Sequence, residues 1–413
     1  MKRVLGILLA GGAGERLYPL TRDLAKPAVP FGGIYRIIDF TLSNCINSGV
    51  RRVLILTQYK SLILHRHVRD GWHILSPELG EYIEVIPPMK RMGDDWYLGT
   101  ADAVYQNSQS IAADGAPLTL ILSGDHIYKM DYGEMIRWHE ERDADVTLAT
   151  ILVHPDESRH FGICDIDESY EIRGFSEKPP SERAVRSRFD PQCVSASMGV
   201  YIFKTDLLLR LLHEDAQRSD SSHDFGKDLL PGLIGRANVV AYNFVDINAK
   251  EQLYWRDVGT LDAYYEANMD LVAVTPEFNL YDESWPLRTA PAQGPPAKFV
   301  FAQEGRRMGI AIDSIVSPGV IVSGGRVVRS VLSPGVHVHS YCEVESSILL
   351  PKVEIGRYSR VRRAIVDTGV VLPESTNIGF DHDADRAAGY HVTESGIVVV
   401  PSPEYRPIEF ASS

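Results

Sequence analysis

Four segments of the C-terminal third resemble one another: IVSPGVIV begins at 315, VLSPGVHV at 331, ILLPKVEI at 348 and IVDTGVVL at 365. The starts step by 16, 17 and 17 residues (331 − 315, 348 − 331, 365 − 348). Each unit is two short runs rich in Val, Ile and Leu around a Pro or Gly corner. A unit this small cannot bury an apolar face by itself, so neighbours must stack. The period predicts the coils of a β-helix over 300–413, rather than an antiparallel sandwich with evenly spaced strands. A further strand is expected in ESGIVVV (394–400), followed by a polar tail.

The first two-thirds has another texture. VLGILLA (4–10), RVLILT (52–57), LTLILS (118–123) and VTLATILV (146–153) are short runs dominated by Leu, Ile and Val. Such runs suit strands buried on both faces, as in a parallel sheet. Helix-like stretches at 101–113 and 131–143 lie between them. This predicts an α/β domain with βαβ connections over 1–274. The proline-rich, aperiodic segment 275–299 reads as a linker.

Composition narrows the function classes. The chain has 413 residues, with 42 Lys plus Arg against 55 Asp plus Glu, a net charge of −13. That balance argues against general nucleic-acid binding, which needs a basic face. A polyanionic small substrate would therefore need a local cationic pocket. No apolar run approaches the roughly 20 residues that cross a bilayer. VLGILLA runs straight into a glycine turn, unlike a signal peptide. The four cysteines, Cys45, Cys164, Cys193 and Cys342, lack metal-ligand spacing and read as reduced thiols. The expected location is cytoplasmic.

LAGGAGERLYPLTRDLAKP (9–27) carries the strongest chemical signal. It fails the dinucleotide fingerprint, which needs a third glycine at Leu17, and it lacks the GK[ST] of a P-loop. A strand feeding a glycine-rich turn still presents backbone N–H groups to phosphates. Arg16 follows the last glycine by two residues. Lys26 precedes Pro27, which is expected to hold it extended. Two cations at one turn suit a triphosphate whose outer part leaves as diphosphate.

This stretch resembles the GGxGxR…KP signature of sugar-1-phosphate nucleotidylyltransferases. RIIDFTLSNCINSG (36–49), LTQYKS (56–61), WYLGTADAV (96–104), SGDHIYKMDY (123–132), FSEKP (175–179), SMGVYIF (197–203), SSHDFGKDLLP (221–231) and YWRDVGTLDAYYEANMDL (254–271) extend the likeness to the ADP-glucose pyrophosphorylases. The resemblance covers nearly the whole chain. It implies a Rossmann-like nucleotidyltransferase domain with a mostly parallel sheet, followed by a left-handed parallel β-helix. The implied reaction joins ATP and glucose 1-phosphate into ADP-glucose and diphosphate, for glycogen synthesis. Its catalytic residues would be Arg16, Lys26, Asp125, Lys178 and Asp257, with Asp125 and Asp257 holding Mg2+. Leu9, Ala10, Gly11, Gly12, Gly14, Glu15, Gln58, Gly99, Thr100 and Ala101 match the nucleotide site. Tyr97, Gly162, Glu177, Lys178 and Ser197 match the sugar-phosphate site. No protein nucleophile is required, because a phosphate oxygen is already ionised. His126, His223 and Cys45 are therefore expected to be structural.

Two departures matter. Met89 and Lys90 stand where many relatives carry a glutamine pair. A lysine only donates and cannot copy an amide facing a base. UTP, dTTP or GTP in place of ATP, or a non-catalytic regulatory role, are the alternatives. The resemblance also implies a homotetramer tuned by an anionic metabolite. TRDLAKPAVPF lacks the basic residues some relatives place there: Asp23, Leu24 and Pro30 stand instead, with Arg36 retained. Arg306, Arg307, Arg362 and Arg363 are the other candidate cations. An acyltransferase reading of the β-helix finds only His337 and His339 in its favour.

Overall fold

The computed structural model describes residues 3–12, 14–88, 96–248, 253–303 and 307–402. Met89, Lys90 and Arg306 fall outside these. The chain forms two compact units, each drawn from several stretches of sequence. One comprises Met1–Ala13, Ile38–Trp255 and Asp282–Arg288; the other comprises Gly14–Ile37, Arg256–Tyr281 and Thr289–Ser413.

The first unit is built on a nine-stranded sheet. Its strands are β1 (Val4–Ala10), β2 (Arg52–Thr57), β3 (Tyr82–Ile86), β4 (Leu118–Ser123), β5 (Val146–Val153), β6 (Gly162–Ile166), β7 (Ile172–Glu177), β8 (Val194–Lys204) and β9 (Val239–Asn243). The apolar runs at 4–10, 52–57, 118–123 and 146–153 are all strands, as their patterns predict. β1 is central and pairs parallel with both β2 and β4. β2–β3 and β5–β9 are also parallel. The exceptions are β8, which runs antiparallel to β4, β5 and β6, and the antiparallel β6–β7 hairpin. β1 carries no charged side chain and only one of its residues is less than fully buried, as strands covered on both faces require. The expected single helix at 101–113 is two, Thr100–Tyr105 and Ser108–Asp114. The break is made by Asn107, whose side-chain amide turns back to the Ala103 carbonyl at 2.8 Å. The stretch at 131–143 is a helix over Tyr132–Glu141, and Asp131 caps it by accepting from Gly133 N.

Within 275–299, Asp282–Arg288 belongs to this unit. Trp285 Nε1 donates to Asn44 Oδ1 at 2.9 Å, and Arg288 N donates to Ser43 Oγ at 2.9 Å.

The second unit contains three parallel ladders of short strands, the cross-section of a left-handed β-helix. One ladder stacks Lys298–Val300, Ile321–Ser323, His337–Val338, Glu354–Ile355 and Val371–Leu372. A second stacks Ile310–Ile312, Arg326–Val328, Glu343–Glu345, Arg360–Arg362 and Asn377–Ile378. The third runs from Ile315–Val316 to Val398–Val400, which pairs with Ala364–Val366. The coil therefore has three sides, where the repeat shows two. The unseen side reads RVV, EVE, RVR, with charges turned outward and one buried valine turned inward. A coil at 298–312 also precedes the first visible repeat. Val322, Val338, Ile355, Val327, Val344, Val361, Leu332, Leu349 and Val366 fill the interior. At the SPG and TG corners, Gly319, Gly335 and Gly369 adopt φ of 76°, 74° and 73°. Lys352 takes the corresponding place at φ 61°.

The same unit holds the helix Leu261–Asp270, capped by Thr260. Tyr264 Oη donates to the Pro30 carbonyl at 2.5 Å, and Gly32 N donates to Asn268 Oδ1 at 3.0 Å.

Candidate active site

The carboxyl ends of β1, β2 and β4 share one edge of the sheet, fixed by the registers Ala10↔Thr57 and Leu9↔Ser123. Open α/β sheets bind ligands at that edge. The residues that follow are Gly11 and Gly12 after β1, Gln58 after β2, and Asp125 after β4. A Cβ on Gly11 would stand 3.1 Å from Gln58 Cβ, so the two loops nearly touch. A Cβ on Gly12 would meet nothing within 4 Å. Gln58 Nε2 donates to the Tyr97 carbonyl at 3.2 Å, which orients its amide. Tyr97 itself is a core residue at 9% exposure, its hydroxyl taken by Asn107 Nδ2 at 3.1 Å.

Gly99 precedes the helix that carries Thr100 and Ala101. A side chain there would collide with the His223 carbonyl at 2.2 Å and the Ser222 carbonyl at 2.5 Å. Ala101 N donates to that same His223 carbonyl at 2.9 Å. Thr100 Oγ1 donates to Asp224 Oδ2 at 2.9 Å, while Asp224 Oδ1 accepts from Gly226 N and Lys227 N. The His223 ring pairs with Asp215 Oδ2 at 2.7 Å. Asp224 and Gly226 thus position the Gly99–Ala101 turn, although the sequence reading gave SSHDFGKD no role. An aspartate followed at two and three places by glycine and lysine at a helix start was the available signal.

Asp125 is 31% exposed along its side chain, with His126 Nε2 3.6 Å from Oδ1. Ser123 Oγ also donates to Oδ1. The His126 ring lies 4.9 Å from that of Trp255. This is a packed histidine beside a reachable carboxylate.

The β6–β7 hairpin holds three further residues. Gly162 and Glu177 are register partners. A Cβ on Gly162 would meet Phe175 Cζ at 2.3 Å and Glu177 Oε2 at 3.0 Å, so any side chain there displaces both. Burial raises the Glu177 pKa above the usual carboxylate value, opposed by the Lys178 charge. Lys178 Nζ is 3.5 Å from Glu177 Oε1. Its backbone sits at φ 49°, before Pro179, with its N–H bonded to the Phe161 carbonyl at 3.0 Å. A left-handed lysine at this point is strained, and strain of that kind gathers at functional sites. Ser197 lies on β8 at the start of its irregularity, 7% exposed, with Oγ 3.3 Å from Tyr201 Oη.

In the second unit, Gly14 at φ 66° opens a single 3-10 turn, Glu15–Leu17, where a phosphate loop would start a full helix. A side chain on Gly14 would meet Thr21 Cγ2 at 2.9 Å and Lys26 Cβ at 3.2 Å. Thr21 Oγ1 closes the loop by donating to the Gly14 carbonyl at 2.8 Å. Lys26 is not extended: it begins the 3-10 turn Lys26–Ala28, and Ala25 is the extended residue. Pro27 has no N–H to lose at that position, so the turn tolerates it. Lys26 is 7% exposed, and its Nζ is 2.9 Å from Asp257 Oδ1. Arg16 Nη2 is 4.0 Å from Asp257 Oδ2 and mostly exposed. Arg16, Lys26 and Asp257 therefore form one cluster of net charge +1. Gly259 backs it, since a Cβ there would meet Arg16 Nη2 at 2.9 Å.

Two family models match the chain: nucleotidyl transferase over residues 5–273, and the GlmU-like C-terminal hexapeptide over 295–400. A glucose-1-phosphate adenylyltransferase of Koribacter versatilis is 62% identical over 401 residues, covering 97% of this chain and 95% of that protein. Proteins of the same name from Rhodopirellula baltica and Hydrogenovibrio crunogenus are 52% and 49% identical, covering 98% and 97% of this chain and 91% and 94% of theirs. With a nucleotidyl transferase sheet, a hexapeptide β-helix and identity of this extent, the chain belongs to the glucose-1-phosphate adenylyltransferase family.

Proposed function

We propose that this chain transfers the adenylyl group of ATP to glucose 1-phosphate. An oxygen of the sugar phosphate attacks the α-phosphorus, the bond to the β-phosphoryl bridge breaks, and diphosphate leaves with the electron pair. The product is ADP-glucose, for α-glucan synthesis. The observation that carries this reading is the Arg16–Lys26–Asp257 cluster closed behind Gly14. Bringing two anions to about 4 Å costs about 4 kcal/mol per charge pair at an effective dielectric near 20. The residues must offset that, since the attacking group needs no activation.

Arg16 and Lys26 take the triphosphate, supporting the departing diphosphate. The loop of Leu9, Ala10, Gly11, Gly12, Gly14 and Glu15 wraps its phosphates. Gln58 and Gly99–Ala101 take the base. Lys178 binds the sugar phosphate, and Glu177, Gly162 and Ser197 receive the sugar, with Tyr97 buttressing from the core. Asp125 and Asp257 offer carboxylate oxygens, the donors that suit Mg2+. When bound, the ion supplies neutralising charge to the phosphates. The proposed division is a catalytic domain over 1–274, a linker over 275–299 and a β-helix domain over 300–413.

A homotetramer and an anionic effector extend the proposal. A cavity of about 730 Å³ in the second unit, lined by Arg329, Arg362 and Arg363 together with Asp313 and Glu345, the last paired with Arg329 at 2.8 Å, keeps an excess of arginines that supports the effector. Arg307 instead lies over the Phe301 ring at 4.0 Å. No described helix is long and apolar enough to cross a membrane, and a cytoplasmic location is proposed. The deciding experiment offers ATP, UTP, dTTP and GTP with glucose 1-phosphate and measures diphosphate release, with and without sugar phosphates. ATP should win by at least tenfold. Equal rates with another nucleotide would replace the adenylyl assignment, and no release with any would point to a regulatory role.

A further inference from the structure

His337 opens the strand His337–Val338 of the β-helix and His339 follows it directly, with Val338 buried between them. The extended alternation continues one residue past the strand: Val338 is buried while His337 and His339 are half-buried, and both imidazoles lie on the same outer side. Their ring centroids are 3.9 Å apart, at an interplanar angle of 30°. Glu354 lies on the next coil, in register with His337. His339 Nε2 is 2.8 Å from Glu354 Oε1. One ligand atom from each of the three comes within 4.8 Å of the others, and all three are half-buried. A neutral imidazole offers a lone pair to a metal ion.

We propose that His337, His339 and Glu354 form a site for a divalent transition metal of the zinc class, bridging two successive coils. Two imidazoles and one carboxylate match that class and not the hard, all-oxygen preference of Mg2+. Ligand atoms around tetrahedral zinc stand about 3.3–3.5 Å apart, from bond lengths near 2.1 Å. The observed spread needs only side-chain rotation, because the backbone already sets the i, i+2 pair and the adjacent coil. A metal bound there replaces the His339–Glu354 hydrogen bond with two bonds to one ion, and a water fills the fourth position. The residues bracketing this cluster on the same ladder are Ile321 below and Val371 above. This proposal is independent of the adenylyl-transfer reading.

The test uses the full-length protein, stripped with EDTA and held in excess Mg2+ so that hard-cation sites are filled. Co2+ is titrated in and followed by its visible ligand-field absorption. The wild-type protein should bind one equivalent of Co2+ more than His337→Gln or His339→Gln, and Zn2+ should displace it. Zn2+ at about 100-fold above its Kd should raise the wild-type Tm by about 2–4 °C and leave the variants unmoved. Glu354→Gln, which keeps an acceptor for His339, should match the wild-type Tm in EDTA and still lose the Co2+ spectrum. Identical Co2+ stoichiometry in wild type and all three variants would overturn the proposal, leaving His339–Glu354 as a hydrogen-bonded pair between coils.

Discussion

Burying an ammonium group costs several kcal/mol unless a partner offsets it, and Lys26 is only 7% exposed. Asp257, 2.9 Å away, is one such partner. Asp257→Asn keeps the shape and removes the charge. It should lower kcat by about two to four orders of magnitude, the scale of roughly 3–5 kcal/mol of transition-state stabilisation. It should also lower the unfolding midpoint in urea, since Lys26 loses a charged partner at 2.9 Å. Asp125→Asn should give the same loss of kcat with an unchanged midpoint, because Asp125 is partly exposed. Diphosphate release and urea titration on both variants separate the two effects. A third variant probes the sugar side. Gly162→Ala places a methyl 2.3 Å from Phe175 Cζ and 3.0 Å from Glu177 Oε2. The KM for glucose 1-phosphate should rise at least tenfold while that for ATP changes less than threefold. Glycine and aspartate identities at these points were legible from the motif. The crowding at Gly99 and Gly162 was not, because it comes from a distant segment at Gly99 and from the hairpin partner strand at Gly162.

Helices and strands have their own sensitivities. The helix Tyr132–Glu141 packs against β5 through His139, whose Nδ1 is 2.8 Å from Thr147 Oγ1. Burial pushes the His139 pKa down to about 4, with Lys204 adding to the fall and Asp145 and Asp143 opposing it. The unfolded chain keeps a histidine near 6.5. Between those values the unfolded state binds the extra proton, so stability rises with pH. His139's contribution is fully present above about pH 6.5 and is lost as pH falls toward 4, by about 3 kcal/mol. His139→Gln should flatten the urea midpoint across pH 4–7; an unchanged slope would assign the effect elsewhere. Asp224→Ala removes the cap that receives Gly226 N and Lys227 N. It should cost about 1–2 kcal/mol and raise the ATP KM by loosening Thr100. At this scale the sequence was informative where patterns are uniform. Runs buried on both faces announced β1, β2, β4 and β5. The third side of each coil escaped because EVE and RVR read as solvated charge, with one inward valine too little to signal a strand. The antiparallel direction of β8 was likewise hidden, since direction leaves no mark on composition.

Across the whole molecule the four thiols are free. Burial raises Cys164 to about 12 and lifts Cys45 far above the ordinary thiol range. Cys342 is raised by burial, and Cys193 by burial and by Asp190. An aromatic disulfide reagent should therefore label at most one thiol quickly in the native protein, Cys193, and four in denaturant. The two-part organisation was readable from the repeat and from the change of texture near 275. The interleaving of Gly14–Ile37 and Arg256–Tyr281 with the β-helix residues in one compact unit was not, because contacts between remote stretches leave no periodic trace.

The first coil of the β-helix has a consequence for association between molecules. Its strand Lys298–Val300 ends a ladder, and a ladder end is a template on which a foreign strand can add. The residues leading into it are Pro295 and Pro296, which carry no N–H to offer, and the Pro295 carbonyl is already taken by Gly319 N at 2.6 Å. Fibre growth from that end is thus discouraged by imino acids beside the strand and by the exposed Lys298 on it, and a chain with serine at both proline positions would be the one to watch for slow gelation on storage.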